Sequence, residues 1–283
     1  PNKWEELDFD KIVICAFSFR DKLDMMNQLL DLGVEKERIG FIEEFQKNYD
    51  ICIQVVKQNT INIISNDIVI QCENEIEFMI AQEIFAKEEY GFHMEENYFV
   101  IDIGMNIGCT SLYFASKDNV TYVYGFEPCE TVYNKAMNNI YKNDKKIQNK
   151  IKTYNIGLSG KNGVEKYIAH HGIFESAGIK KVQEGTEHSD NIINIEVNQA
   201  SNILKSIFSY HSEKCLMKLD CEGAEYEILE DLIKSNIISK VDVIIMEWHV
   251  GKYKQLENLM KICGFKFLLN KNDRDFGMCY AWR

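Results

Sequence analysis

VIDIGMNIGCTS, residues 100–111, decides how this chain folds. Val100, Ile101 and Ile103 read as a buried parallel strand, because the apolar, β-branched run leaves no polar face. Gly104 and Gly108 punctuate the turn that follows, where a missing Cβ lets the backbone bend tightly and approach a ligand. Thr110 and Ser111 stand at the start of the next helix and are expected to cap it. Asp102 leaves a carboxylate near the carboxyl end of the strand, and in open α/β sheets ligands bind in the crevice there. The next strand, 121–127, closes on Glu127, one strand–helix–strand unit further on. An acid in that place usually holds the two ribose hydroxyls of an adenosine.

The glycine spacing narrows the adenosine ligand. A dinucleotide loop wants G-x-G-x-x-G, whereas Gly104-Met105-Asn106-Ile107-Gly108 puts Asn106 where a pyrophosphate needs bare backbone. A phosphate-free adenosine suits this loop better. S-adenosylmethionine fits, with its carboxylate at the helix N-terminus and its ribose at Glu127. The cofactor side is therefore expected to comprise Asp102, Gly104, Asn106, Gly108, Thr110 and Glu127, with Ser159 and Asp220 from later strand ends. On this reading, replacing Gly104 by Val fills ligand space and leaves the fold intact.

Further along the chain, strands are expected at 151–158, 215–220, 241–247, 264–270 and 277–283, with helical periodicity at 129–142, 224–235 and near 252–262. Only the turn-rich Asn270 to Asp273 separates the last two strands, so that pair is expected to be antiparallel. Five βα units closed by an antiparallel hairpin make a Rossmann-like α/β sheet. Residues 160–200, rich in Gly, His and charge, read as an insertion that carries His170, His171 and Ser176. Upstream, 11–17 reads as a strand and 20–32 as an amphipathic helix. One strand cannot make a sheet, so its partners are expected from a segment preceding Pro1. Residues 61–72 read as a strand pair around Ser65-Asn66-Asp67, and 74–89 as a helix.

Composition excludes several classes. A net charge of −12 repels nucleic acid and anionic membranes, and no basic patch offsets it. Nine cysteines without a C-x-x-C pair, several inside apolar runs, suit a reducing, cytoplasmic setting. No apolar run reaches the roughly 18 residues of a membrane span. The expected partner is a small molecule, and a homodimer is compatible with the composition.

Lys218 to Leu229, KLDCEGAEYEIL, carries the second motif. Asp220, Glu222 and Glu225 crowd three carboxylates around the turn at Gly223, more than a helix dipole calls for. The next strand ends in Glu247-Trp248-His249 and delivers an acid and an imidazole to the same edge.

With these pieces the chain resembles the FkbM-type S-adenosylmethionine-dependent methyltransferases. VIDIGMNIGCTS, the GFEP of Gly125 to Pro128, Asn138-Asn139, KLDCEGAEYEIL, MEWH and the closing GMCYAWR match in order over about 75–283. Met105 departs from the smaller residue often found there. The resemblance implies the class I methyltransferase sheet and methyl transfer to an oxygen, often a sugar hydroxyl. Residues 1–60 resemble accessory strand–helix segments of bacterial polysaccharide-modifying enzymes. They imply a division into 1–60 and 61–283, and a nucleotide-activated sugar or glycan precursor of a capsule or surface polysaccharide as acceptor.

Removing the acceptor's proton requires a base or a metal. His249, near an ordinary imidazole pKa, is the expected base, with Asp220 and Glu247 beside it. Tyr90, His170, His171, Ser176 and Glu222 are expected to line the acceptor pocket. Related sugar methyltransferases of this fold hold a divalent metal at the ends of the fourth and fifth strands. On that resemblance Asp220 and Glu247 would take Mg²⁺ or Ca²⁺. Trp248, standing where an Asp or Asn is expected, weighs against it. An NAD-linked oxidoreductase and a non-catalytic adenosine-binding module remain the alternative readings.

Overall fold

The opening strand–helix unit finds its partner inside the chain. In a computed structural model of the protein, β1 (Ile12–Ile14) leads to α1 (Phe19–Asp31), which buries Phe19, Leu23 and Met26. After a short 3-10 turn at Lys36–Arg38, β2 (Ile39–Phe41) pairs parallel with β1. The partner expected from upstream of Pro1 is therefore β2. The strand pair expected at 61–72 also gains a third member. β3 (Cys52–Lys57), β4 (Thr60–Ser65) and β5 (Ile68–Cys72) form an antiparallel meander. Asn66 and Asp67 turn between β4 and β5 with φ of 47° and 65°, as a two-residue hairpin requires. α2 (Glu75–Phe85) starts where the Asn74 side chain accepts from the Ile76 and Glu77 amides at 3.1 and 3.0 Å.

The described residues are 10–16, 19–42, 51–57, 60–169, 179–181, 192–249, 253–271 and 276–283. The chain divides into two units, Pro1–Glu89 and Tyr90–Arg283. The boundary expected at 60 falls instead between two paired strands, β3 and β4, whose ladder ties both sides of it together.

In the second unit the strands are β6 (Tyr98–Ile103), β7 (Val120–Phe126), β8 (Ile151–Tyr154), β9 (Gly157–Ser159), β10 (Gly163–Ala169), β11 (Ile179–Lys181), β12 (Ile192–Gln199), β13 (Lys214–Leu219), β14 (Val243–His249), β15 (Lys266–Lys271) and β16 (Phe276–Trp282). The helices are α3 (Cys109–Ala115), α4 (Glu130–Tyr141), α5 (Lys145–Gln148), α6 (Ala200–Phe208), α7 (Glu225–Lys234) and α8 (Tyr253–Ile262). Seven strands form one sheet in the order β15-β16-β14-β13-β6-β7-β8. The five from β14 to β8 are parallel, and β16 runs antiparallel to both neighbours. This is the expected Rossmann-like sheet with one reversed strand.

Within the region read as an insertion at 160–200, β10, β11 and β12 join β9 in a second sheet, order β11-β10-β12-β9, with β10 and β12 antiparallel and β12 and β9 parallel. The expected strand 151–158 is split between the two sheets, because Asn155 and Ile156 separate β8 from β9. His170, His171 and Ser176 lie outside the described residues.

The two-residue period of the central strands sorts their side chains. Phe99, Ile101 and Ile103 of β6, with Cys215, Met217 and Leu219 of β13, join residues of α6, α7 and α8 in one buried apolar cluster. The alternate residues, Asp102 and Lys218 among them, face the other way. Asp102 and Lys218 are also direct partners in the parallel register. From β6 the chain winds outward through α3 to β7, while β13 lies on its other side. The sheet therefore has its topological switch point between β6 and β13, where such sheets open a ligand crevice.

Candidate active site

At the switch point the glycine loop closes directly onto the end of β13. Gly104 has φ +82°, and a Cβ there would stand 1.7 Å from the backbone oxygen of Asp220. This glycine serves contact between two strand ends. The expectation that Val at 104 would enter only ligand space is corrected: it would strike protein backbone. Met105 turns inward and is buried. A Cβ on Gly125 of β7 would meet its sulfur at 2.4 Å, so the large residue at 105 is accommodated by the glycine of GFEP. Asn106 adopts φ 51°, a conformation Asn tolerates better than most residues, and its Oδ1 accepts from the Ile107 amide at 2.7 Å. Asn139 of α4, buried, donates to the Ile107 carbonyl at 3.0 Å and pins the loop from outside.

Helix α3 is capped differently from expectation. Its N-cap is Gly108 in the left-handed region, without a side-chain cap. Ser111 donates to Asp102 Oδ2 at 2.6 Å, and Thr110 is buried in the first turn. A serine one turn into a helix lies over the strand that precedes it, so the Asp102 carboxylate outcompetes the helix end for its hydroxyl.

Glu127, 6% exposed, follows the end of β7. Its Oε2 accepts from the Asn106 amide at 3.0 Å and its Oε1 from the Cys129 amide at 2.9 Å. Burial raises its pKa to about 7 against these two hydrogen bonds and the charge of Lys218, which lower it. An ionised carboxylate has about four lone-pair positions. Two backbone donors leave acceptor capacity for a vicinal diol, so the donor–acceptor chemistry here fits an adenosine ribose.

On the β13 side, Lys218 is 2% exposed. Its ammonium donates to the Gly104 carbonyl at 2.6 Å and lies 3.4 Å from Asp102 Oδ1 and 3.5 Å from Asp220 Oδ2. Burial works to lower its pKa, but Asp220 and Asp102 outweigh this and raise it. Burial likewise raises that of Asp102, against the lowering influence of Lys218 and Ser111. Tyr90 donates to Asp220 Oδ2 at 3.0 Å and presents its ring 5.2 Å from the Lys218 ammonium.

The turn after β13 is organised by Glu225, which is fully buried. Its carboxylate accepts from the amides of Cys221 at 3.1 Å and Gly223 at 3.0 Å, and pairs with His249 Nδ1 at 3.0 Å. That fixes the ring and turns Nε2 toward Glu222 at 3.7 Å and Glu247 at 4.0 Å. Burial lowers the pKa of His249. The hydrogen bond and charge of Glu225, with Glu222 and Asp220, more than reverse this and raise it to about 9. The expected imidazole with an ordinary pKa is therefore an imidazolium at neutral pH.

The metal set expected at Asp220 and Glu247 takes another form. Ligand atoms of Asp220, Glu222 and His249 lie within 4.8 Å of one another, and Glu247 is not among them. Trp248 is buried against Tyr253 and offers no ligand. Both carboxylates of this set also help to raise the His249 pKa, so a cation there would compete with the imidazolium proton. Ser159 also departs from its expected cofactor role, since its buried hydroxyl donates to Glu227 at 2.8 Å and lies 3.2 Å from Glu165. It ties α7 to the second sheet.

Sequence reasoning missed Lys218 and the part played by Glu225. Both sit inside KLDCEGAEYEIL, and the signal for Lys218 was a cation within the run Cys215 to Leu219, which is otherwise apolar on both faces. Among the described residues, no helix is long and apolar enough to cross a membrane, and all nine cysteines are free thiols.

The chain is 24% identical, over 74% of its length, to the AMB antimetabolite synthetase AmbE of Pseudomonas aeruginosa, of which it spans only 12%. It is 26% identical over 66% of its length to the methyltransferase sdnD of Sordaria araneosa, of which the match covers 81%. A crystal structure of the methyltransferase FkbM from Methylobacillus flagellatus superposes with a TM-score of 0.46 at 14% identity, covering 71% of this chain and 48% of that one. Residues 102–267, more than half of the chain, match the methyltransferase FkbM domain, and the protein belongs to that family.

Proposed function

We propose that the protein transfers a methyl group from S-adenosylmethionine to a hydroxyl of a sugar acceptor, with the neutral form of His249, held in place by Glu225 and populated as the pH rises toward about 9, removing the hydroxyl proton. When bound, S-adenosylmethionine supplies an electrophilic methyl with its own leaving group. Glu127 would accept the ribose hydroxyls, and the 104–108 loop would carry the methionyl end. His249, Asp220 and Glu247 come from the ends of the adjacent strands β13 and β14 and line the acceptor side. A hydroxyl is a poor nucleophile at neutral pH, so this concentration of proton-accepting groups supports an oxygen acceptor.

The hydrogen bond from His249 to buried Glu225 carries this reading, because it orients the ring as a triad carboxylate orients its histidine. The sugar class rests on the resemblance of the strand-end motifs, and a nucleotide-linked sugar or glycan precursor is the acceptor we propose. The net charge of −12 supports a small acceptor over nucleic acid. Methyl-labelled S-adenosylmethionine, offered with a panel of free and nucleotide-linked sugars, tests the proposal. An O-methyl sugar, identified by its methoxy resonance, is expected. Transfer confined to nitrogen or sulfur acceptors would overturn it.

A further inference from the structure

We propose that Lys218 is a positioning residue that couples the cofactor loop to the acceptor-side turn: one buried ammonium grips the Gly104 carbonyl, Asp102 and Asp220 together. The inference rests on the cofactor reading above. Its geometry is that of a clasp. Gly104 opens the loop that would carry the cofactor, Asp220 opens the turn that Glu225 fastens to His249, and the backbones of the two meet at Gly104. Lys218 reaches the carbonyl on one side at 2.6 Å and the Asp220 carboxylate on the other at 3.5 Å. Tyr90 closes the far side, its hydroxyl on Asp220 and its ring against the ammonium.

Stability alone does not account for this lysine. It is a charged residue in a strand whose other members from Cys215 to Leu219 are apolar and buried. Replacing a buried ion pair by apolar residues of similar volume is often neutral or stabilising. What an apolar residue cannot do is hold a loop carbonyl and two carboxylates in one fixed arrangement. A displacement of the loop on ligand binding would then reach the 220–223 turn through the ammonium.

The test is hydrogen–deuterium exchange with S-adenosylhomocysteine as probe. Lys218→Met alone strands the Asp102 carboxylate, so the charge-matched Lys218→Met/Asp102→Asn variant is the main reporter, and Asp220→Asn, at a partly exposed position, cuts the clasp at its other end. In the wild type, ligand should slow exchange by about tenfold or more in both 104–108 and 220–223. With S-adenosylhomocysteine held at saturation for each variant by its own measured Kd, ligand should still protect 104–108 in the double variant and in Asp220→Asn, while its effect at 220–223 falls to less than about twofold. A merely structural role would raise exchange at both segments with and without ligand. Protection of both segments in the variants as in wild type would overturn the inference. Failure of the wild type to bind the probe would overturn the cofactor reading itself and the coupling with it.

Discussion

Replacing Glu127 by Gln should make the protein more stable and a poorer binder, and both effects should depend on pH. The carboxyl is 6% exposed, and its pKa rises from 4.5 to about 7 because burial outweighs two backbone hydrogen bonds. That gap corresponds to about 3 kcal/mol. Its sign is the reverse of the usual carboxylate case. Between pH 4.5 and about 7 the folded state holds the proton more tightly than the unfolded chain. The stability associated with it is complete below pH 4.5 and is lost as the pH rises through about 7. A neutral Gln escapes this cost at pH 8. It also places an amide NH₂ against one of the two backbone donors and forfeits a hydrogen bond worth about 1 kcal/mol. The net expectation is a gain of about 2 kcal/mol at pH 8 and none at pH 5, read by urea unfolding at both pH values. Ligand binding should move the other way. Ribose hydroxyls donate to the ionised carboxylate, so wild-type affinity for S-adenosylhomocysteine should rise as the pH climbs through about 7. Glu127→Gln should bind roughly 1.5–3 kcal/mol more weakly at pH 8, the worth of hydrogen bonds to a charged group, and show little pH dependence. A Gln variant that is destabilised at pH 8, or that binds with the wild-type pH profile, would refute the reasoning.

Gly104→Ala should destabilise the protein by more than about 4 kcal/mol, because its Cβ stands 1.7 Å from a backbone oxygen at a left-handed φ; denaturant unfolding reads this, and a variant of wild-type stability would contradict the packing. With His249 raised to about 9, kcat/KM should climb with pH toward that value, and an acidic limb near pH 6.5 would contradict the Glu225 pairing. His249→Ala should lower kcat by about 10²–10⁴ with S-adenosylhomocysteine affinity unchanged. Methyl transfer should persist in EDTA, since a base at His249 calls for no metal to take the acceptor proton; abolition by EDTA with rescue by Mg²⁺ or Ca²⁺ would restore the metal reading.

The parts of the fold legible in the sequence were those whose signals are local. VIDIGMNIGCTS shows its strand by an unbroken apolar run and its turn by two glycines, and β6 and the loop stand where they were expected. The span between 270 and 277 is too short for a crossover, which was enough to mark one strand as reversed. β10 to β12 were read as an insertion because the period-two pattern there is diluted by Gly160 and Gly163 and by the charges of Lys161, Glu165 and Lys166. The boundary at 60 failed because β3 carries Gln54 and Lys57 among its apolar residues and gives a weak strand signal until β4 is there to pair with it. In the site, acids and histidine were found by their positions at strand ends, but their protonation was not. The pKa of His249 is set by Glu225, 24 residues earlier and on another element, and that of Glu127 by burial, which only the packed sheet creates. Asp102 and Lys218 were both visible in their motifs. Their partnership depends on β6 and β13 being neighbours, a fact of topology.

The central claim is that the switch-point crevice holds S-adenosylmethionine through Glu127. Calorimetric titration of S-adenosylhomocysteine and of NAD into wild type and Glu127→Ala at pH 8 tests it most directly. The account predicts saturable binding of S-adenosylhomocysteine by wild type, a loss of roughly 1.5–3 kcal/mol in the variant, and no binding of NAD. Equal affinity in wild type and variant, or preference for NAD, would contradict it.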